Sequence, residues 1–140
     1  MLKNILSVSG KPGLQKMINN SGNTFIVESL LDGKRFAVYP SMKVTSLEDI
    51  SIYTTEEDVL LKDVFKKIYD KSNGKTVLSH KEDSPKIVAF FEEVFPEYDK
   101  DRVYMSDLRK IINWYNILTE KGLLNFEKEE EEKVDTANEK

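Results

Sequence analysis

The chain has 140 residues, of which 39% are apolar and 10% aromatic, enough for a core in one domain or in two small ones. It contains no cysteine, which excludes disulfides, thiol catalysis and cysteine-based zinc sites and fits a reducing cytoplasm. No apolar run approaches the ~20 residues of a membrane helix, and residues 1–126 hold 18 basic and 18 acidic side chains, which argues against a strongly basic nucleic-acid binder.

The segment from Ser9 to Gly13 places two glycines and a proline close together near the start of the chain. Ser9-Gly10-Lys11 is similar to the end of a phosphate loop, which needs Ser or Thr after the lysine and then a helix. Here Pro12 follows Lys11 and offers no amide to a phosphate, and a strand pattern comes next. We therefore interpret this segment as a turn that opens a small β domain.

Three strands are predicted after this turn, over residues 15–18, 24–31 and 35–39, where β-branched and aromatic residues are frequent. Residues 19–23 are turn formers and are predicted to be a loop. A further short strand over 42–45, a helical turn over 46–49 and a last strand over 50–53 complete the β unit. So many short strands favour a small SH3-like β-barrel within residues 1–58.

Asp32-Gly33 lies between two of these runs and favours a two-residue type I′ turn, which needs positive φ at both positions. Such a turn pairs Leu30 with Arg35 and Val27 with Val38. Side chains alternate along a strand, so one face of this hairpin is predicted to be core. That face carries Phe25, Val27, Phe36 and Val38.

Helical periodicity replaces the strand pattern after residue 58, which predicts a helical domain over residues 59–126. Its helices are predicted at about 60–72, 85–95 and 106–121. Residues 127–140 hold seven acidic and three basic side chains, so this segment accounts for the whole net charge. With almost no apolar content, it is predicted to be a disordered acidic tail.

No catalytic, cofactor or metal site is predicted. His80 is the only histidine and lies in a polar connector, where a solvated side chain is the usual outcome. Asp99-Lys100-Asp101 begins like a calcium loop, but the later ligand positions hold Val103 and Lys110. The sequence has no Gly-x-Ser-x-Gly elbow, and adjacent carboxylates such as Glu92-Glu93 do not face one another on a helix.

Two groups of residues are candidates for binding a partner. Trp114 lies near Arg109 and Lys110 on the last helix, and a Trp flanked by cations can stack on a partner or a base. Packing against the neighbouring helix is the more common role for a Trp at this spacing. The second group is a basic patch on the β unit, formed by Lys11, Lys34, Arg35 and Lys43.

Several segments together resemble a small bacterial family of unknown function over roughly residues 2–126. They are Ile5-Leu6-Ser7-Val8-Ser9-Gly10-Lys11-Pro12-Gly13-Leu14, Ile26-Val27-Glu28-Ser29-Leu30, Gly33-Lys34-Arg35-Phe36, Ser46-Leu47-Glu48-Asp49-Ile50, Asp101-Arg102-Val103-Tyr104 and Trp114-Tyr115-Asn116. The resemblance implies a cytoplasmic protein with an N-terminal β domain and a C-terminal helical domain. It implies no activity, cofactor or catalytic residue.

The function predicted from the sequence is that of a non-enzymatic binding or adaptor module. Its partner is predicted to be a protein or a nucleic acid, with no membrane and no metal involved. The alternative is an enzyme or a small-ligand-binding protein whose site has no recognisable motif. A ligand site predicts a concave pocket with convergent polar groups, whereas a binding module predicts an exposed apolar or basic surface.

Overall fold

The computed structural model describes residue 2 and residues 4–11, 13–21, 24–39 and 41–124. The predictions for Pro12 and for the tail at 127–140 fall outside these residues. In chain order the elements are β1 (Ile5–Val8), β2 (Gln15–Ser21), β3 (Thr24–Ser29), β4 (Arg35–Val38), β5 (Val44–Ser46), a 3-10 turn (Leu47–Asp49), β6 (Ser51–Ile52), β7 (Val59–Leu60), α1 (Leu61–Ser72), α2 (Ser84–Val94) and α3 (Met105–Glu120).

The chain has the predicted α+β class, with an antiparallel five-stranded sheet followed by three helices. The strands lie in the order β4-β3-β2-β1-β5. Among the described strands no ladder joins β4 to β5, so the sheet is open rather than closed into a barrel. β6 and β7 form a separate two-stranded sheet, and β7 was not predicted.

The prediction that β2 ends at residue 18 was wrong, because the strand continues to Ser21. Its pairing with β3 shifts between Met17 and Asn19, which leaves Ile18 as the extra residue of a β-bulge. A bulge lets one strand gain a residue and bend while the ladder continues. The predicted turn formers at 19–21 therefore extend the hairpin instead of forming its loop.

The predicted register of the β3–β4 hairpin was also wrong, by two residues. Glu28 pairs with Arg35 and Phe25 pairs with Val38. Gly33 has φ of +74° but Asp32 has no positive φ, so the turn is not type I′. The loop is longer because the Ser29 hydroxyl accepts from the Leu31 amide and the Asp32 carboxylate accepts from the Lys34 amide.

A shift of two residues keeps each side chain on its face of the sheet, since the side-chain period is two. The predicted core face is accordingly confirmed, although its partners differ. It packs with the neighbouring strands into a small cluster on one side of the sheet, whose fully buried members are Leu6, Val8, Val27 and Val38.

A larger core contains residues of the β unit and of all three helices. Leu14 and Leu47, from the β unit, are fully buried in the same cluster as Phe65 of α1, Phe91 of α2 and Tyr115 of α3. Apolar residues therefore join the sheet and the three helices into one continuous core.

Each helix begins and ends within one residue of its predicted bounds. α1 ends at Ser72 and is followed by Asn73, which has φ of +57°, and by Gly74; both residue types are typical of helix ends. The Ser-Pro pair at 84–85 predicts Ser84 as the N-cap of α2, but Asp83 is the N-cap and Pro85 lies in the first turn. α3 begins after Tyr104, whose amide donates to the Asp107 carboxylate at 3.0 Å.

Two features of the described residues bear on partners. No helix in them is long and apolar enough to cross a membrane. No group of three or more His, Cys, Asp or Glu side chains in the same residues could hold a metal ion.

Candidate binding groove

Some side chains of α3 make hydrogen bonds to the connector between α1 and α2, and others line a groove. The Tyr115 hydroxyl lies 2.8 Å from the Ser72 hydroxyl and donates to the Lys75 carbonyl at 2.8 Å. Asn116 accepts from the Val77 amide at 2.8 Å and donates to the Leu78 carbonyl at 3.1 Å. Because Tyr115 is fully buried and Asn116 is half-buried, these bonds are shielded and have a structural role.

Arg109, one of the predicted binding residues, also belongs to this fastening. Its guanidinium donates to the His80 carbonyl at 2.6 Å and to the Glu82 carbonyl at 2.8 Å, and it reaches the Ser84 hydroxyl. A guanidinium with three acceptors has most of its donors committed. Arg109 therefore holds the end of the connector against α3, and the structure does not place it with Trp114 in the groove described next.

The other α3 side chains line a groove between α3 and the edge of β6. The groove has a volume of about 210 Å³ and is lined by both elements and by the end of the loop before α3. Lys110, Ile111 and Trp114 form one wall, and Ile50–Tyr53 form the other. Trp114 is half-buried against the core, and Lys110 is exposed. Lys110 and Trp114, predicted together, are thus brought together.

A cation and an aromatic ring that the sequence analysis did not select complete this groove. Tyr53 is 45% exposed, and the Arg102 guanidinium lies 4.5 Å from the centre of its ring. Arg102 also donates to the Asp99 carboxylate at 2.7 Å and to the Thr54 carbonyl at 3.1 Å. The spacing of Asp99 and Arg102 in a turn was the available signal for this pair.

The pair has consequences for the ionisation of both groups. The hydrogen bond from Arg102, together with the amide of Asp101, holds the pKa of the Asp99 carboxyl below its ordinary value. The same bond raises the pKa of Arg102. Both groups therefore stay charged, and the charge of Arg102 is balanced within the protein.

The wall formed by residues 50–53 is held in place by the loop between α2 and α3. The Asp99 amide donates to the Tyr53 carbonyl at 2.9 Å, and the Thr55 amide donates to the Glu97 carbonyl at 3.1 Å. Thr54 is buried, and its hydroxyl bonds to the carbonyl of Glu57 and accepts from the Glu56 amide. A short antiparallel connection thus fixes this wall relative to the helices.

The basic patch predicted on the β unit lies at one end of the five-stranded sheet. Lys11 follows β1, Lys34 and Arg35 lie at the β3–β4 loop, and Lys43 precedes β5, whose Val44 is opposite Val8. Gln15 of β2 is opposite Ser29 of β3, so the ends of these strands and their loops are neighbours.

Two cations of this patch, Lys11 and Arg35, have different surroundings. The Lys11 ammonium lies 4.9 Å from the centre of the Phe36 ring, on the face of the small cluster. Arg35 projects to the opposite face, because successive side chains alternate, and its Nε lies 3.7 Å from the Glu28 carboxylate. The structure therefore brings the four residues to one end of the sheet, places Lys11 and Arg35 on opposite faces, and balances the charge of Arg35 with Glu28.

Comparison with family models and solved structures returned three matches. Residues 2–47 match a domain of unknown function (DUF5606), and residues 50–118 match a domain of unknown function (DUF6852). The chain is 43% identical to a protein from Bacteroides vulgatus whose solution NMR structure was determined by the Northeast Structural Genomics Consortium. The alignment covers 90% of this chain and 91% of that one, with a TM-score of 0.74. Comparison with curated proteins found no match.

Proposed function

We propose that this chain, which belongs to the same family of unknown function as the Bacteroides vulgatus protein, is a non-enzymatic binding or adaptor module. The observation that carries the proposal is the half-buried indole of Trp114, which opens on a groove beside exposed Tyr53 and Lys110. Trp and Tyr side chains are enriched at protein interfaces and among the residues that contribute most to binding.

The side chains of α3 support this assignment by contrast. Tyr115, Asn116 and Arg109 are used to hold the protein's own connector, whereas Lys110 makes no ion pair with any residue that the structure describes. Side chains that fasten the fold need no partner. Trp114 and Lys110 remain available to one.

The alternative of an enzyme or small-ligand site has less support at this groove. A separate cavity of about 360 Å³ lies between α3 and the α1–α2 connector, but the Asn116 side chain in its wall is already bonded to that connector. Pockets that bury a drug-sized ligand are usually about 300 Å³ or larger, and the groove beside Trp114 is about 210 Å³. Its two nearest carboxylates are already engaged, Asp99 by Arg102 and Asp107 by the Tyr104 amide. Neither is poised as a general acid or base.

A protein partner is better supported than a nucleic acid. Nucleic-acid affinity comes mainly from several cations acting on one backbone. At the end of the sheet Lys11 and Arg35 lie on opposite faces, and Arg35 is paired with Glu28. We keep the nucleic-acid reading as an outcome that the experiment below distinguishes.

The remaining features of the proposal concern architecture and location. The order β4-β3-β2-β1-β5, with a 3-10 turn directly after β5, supports an SH3-like arrangement that approach of β4 to β5 would close. This likeness to SH3 barrels is one of fold alone. The absence of cysteine and the bacterial relative support a cytoplasmic bacterial protein.

The test is a pull-down at low salt with the tagged full chain, compared between wild type and two variants. Trp114→Ala and Lys110→Glu should each abolish capture of the reproducible partner, since they alter the centre and the charge of the groove. Tyr39→Ala is the control for the loss of an aromatic ring outside the groove, because Tyr39 is exposed and directly follows β4. Circular dichroism checks that each variant is folded.

Capture that persists after nuclease treatment and depends on Trp114 supports a protein-binding module. Loss of capture after nuclease treatment, or a steep fall with salt, would assign a nucleic-acid partner instead. If no partner is captured reproducibly, or if both groove variants capture it as well as the Tyr39 variant does, the proposal is wrong.

A further inference from the structure

Strand β6 is paired on one side only, and the register shows which of its main-chain groups face the groove. Ser51 is opposite Leu60, and Ile52 is opposite Val59. The Leu61 amide donates to the Ile50 carbonyl at 2.9 Å. Ile50 and Leu61 are therefore opposite each other and hydrogen-bonded. Hydrogen-bonded pairs alternate with pairs that exchange no hydrogen bonds in an antiparallel ladder, so Ser51 and Leu60 exchange none.

It follows that the amide and carbonyl of Ser51 point away from β7, towards the side on which the groove lies. Tyr53, two residues further on, points the same way, and its carbonyl accepts from the Asp99 amide. The protein thus uses this strand edge once for its own loop. The next position along the edge, at Ser51, offers one donor and one acceptor at the wall of the groove.

The rest of the groove supplies an apolar floor and one unbalanced charge. Ile52, Val103 and Ile111 are buried beneath it, and the half-buried Trp114 stands opposite the strand edge. Arg102 and Asp107 also line it, but the first is balanced by Asp99 and the second caps α3. The remaining charge is the exposed ammonium of Lys110, so the groove favours a ligand that carries a carboxylate.

We propose that the groove binds an extended segment of a partner protein that adds to the free edge of β6. The segment's main chain bonds to the amide and carbonyl of Ser51, an apolar side chain packs on Trp114, and a carboxylate lies beside Lys110. In this mode main-chain hydrogen bonds provide affinity, and the side-chain pocket and charge provide specificity. The inference rests on the proposed function and names the partner's chemistry.

Proline at position 51 separates this mode from simple side-chain recognition. Proline removes the amide that the ligand would use, but the Ser51 amide takes no part in the ladder with β7, and its side chain is exposed. Ile50 has φ of −82° and ψ of 134°, which suits a residue before proline. Ser51→Pro should therefore fold, and Ser51→Ala, which keeps the amide, is the matched control.

The probe is a random heptapeptide library displayed on phage and selected on the wild-type full chain. We expect enriched peptides with an acidic residue next to an apolar one. Isothermal titration of the synthesised hits should show at least about a tenfold weaker affinity for Ser51→Pro and a change below about twofold for Ser51→Ala. Lys110→Gln should weaken the acidic hits and leave their glutamine analogues unchanged.

Two other outcomes overturn the inference. If hits depend on Trp114 but bind Ser51→Pro normally, the groove binds side chains only, and the proposed function stands without strand addition. If the library yields no hit, the groove does not take a short extended segment, while the pull-down still decides the function separately. Should Ser51→Pro fail to fold, peptides N-methylated at successive amides replace it, and binding that survives every N-methylation refutes the mode.

Discussion

Substitution of Asn116 by Ala tests whether α3 fastens the α1–α2 connector through its side chains. Asn116 makes two well-formed hydrogen bonds to this connector, to the Val77 amide and the Leu78 carbonyl. Each such bond contributes about 1 kcal/mol, and the Val77 amide would lose its partner inside the protein. We therefore expect a loss of about 2 kcal/mol in the free energy of unfolding, or about 8 °C in melting temperature.

Asn113→Ala is the matched control for this experiment. Asn113 lies one turn earlier on α3, is also half-buried, and makes no side-chain hydrogen bond to the residues that the structure describes. Both substitutions raise helix propensity equally, so only the connector bonds differ. In chemical denaturation the free energy of unfolding of Asn113→Ala should lie within about 0.5 kcal/mol of that of wild type. Equal stabilities of the two variants would refute the fastening role.

Two further predictions concern the first turn and the groove wall. Gly10 and Gly13 both have positive φ, so Ala at either position should lower the free energy of unfolding by about 1 kcal/mol. At position 13 the new Cβ would in addition lie 2.7 Å from the Leu31 Cγ, whereas at position 10 it would meet no atom within 4 Å. Gly13→Ala should therefore melt lower than Gly10→Ala, and adding Leu31→Ala should remove the difference; equal melting temperatures of the two glycine variants would contradict this packing. Because the pKa of Asp99 is lowered in the folded state, its pair with Arg102 stabilises the protein above the usual Asp pKa of about 4, and this contribution is lost as the pH falls through the lowered value. The melting temperature of wild type should be higher than that of Asp99→Asn at pH 7, and the two melting temperatures should converge in acid. A difference between them that stays constant down to about pH 2 would refute the stabilising role of the Asp99–Arg102 pair.

The helices could be predicted closely because their signals are local. Asn73-Gly74 ends α1, and apolar residues recur at helical spacing along all three helices. The hairpin register was wrong because the choice between a two-residue and a four-residue loop depended on side chains that bond to the loop amides. Ser29 and Asp32 make those bonds, and neither residue type distinguishes the two loops by itself.

The groove could be predicted only in part, for a reason that is also local. Trp114 and Lys110 are neighbours on one helix, so their spacing brings them together. Arg109 is close in sequence to Lys110, but its acceptors lie 25–29 positions earlier in the chain. Tyr53 and Arg102 meet across 49 positions. Contacts at such separations depend on the tertiary fold, so the pattern of α3 alone could not assign Arg109 to structure or Tyr53 to the groove.

The two walls of the groove come from opposite sides of the predicted domain boundary at residues 58/59. Ser51 and Tyr53 precede that boundary, whereas Lys110 and Trp114 follow it. Strand β6 is held by β7 across the same boundary, and Leu47 and Phe65 are fully buried in one cluster. Because a common core fixes both walls, their separation is determined by folding and not by a ligand. A partner segment would therefore meet a preformed edge and aromatic wall, which lowers the entropic cost of binding.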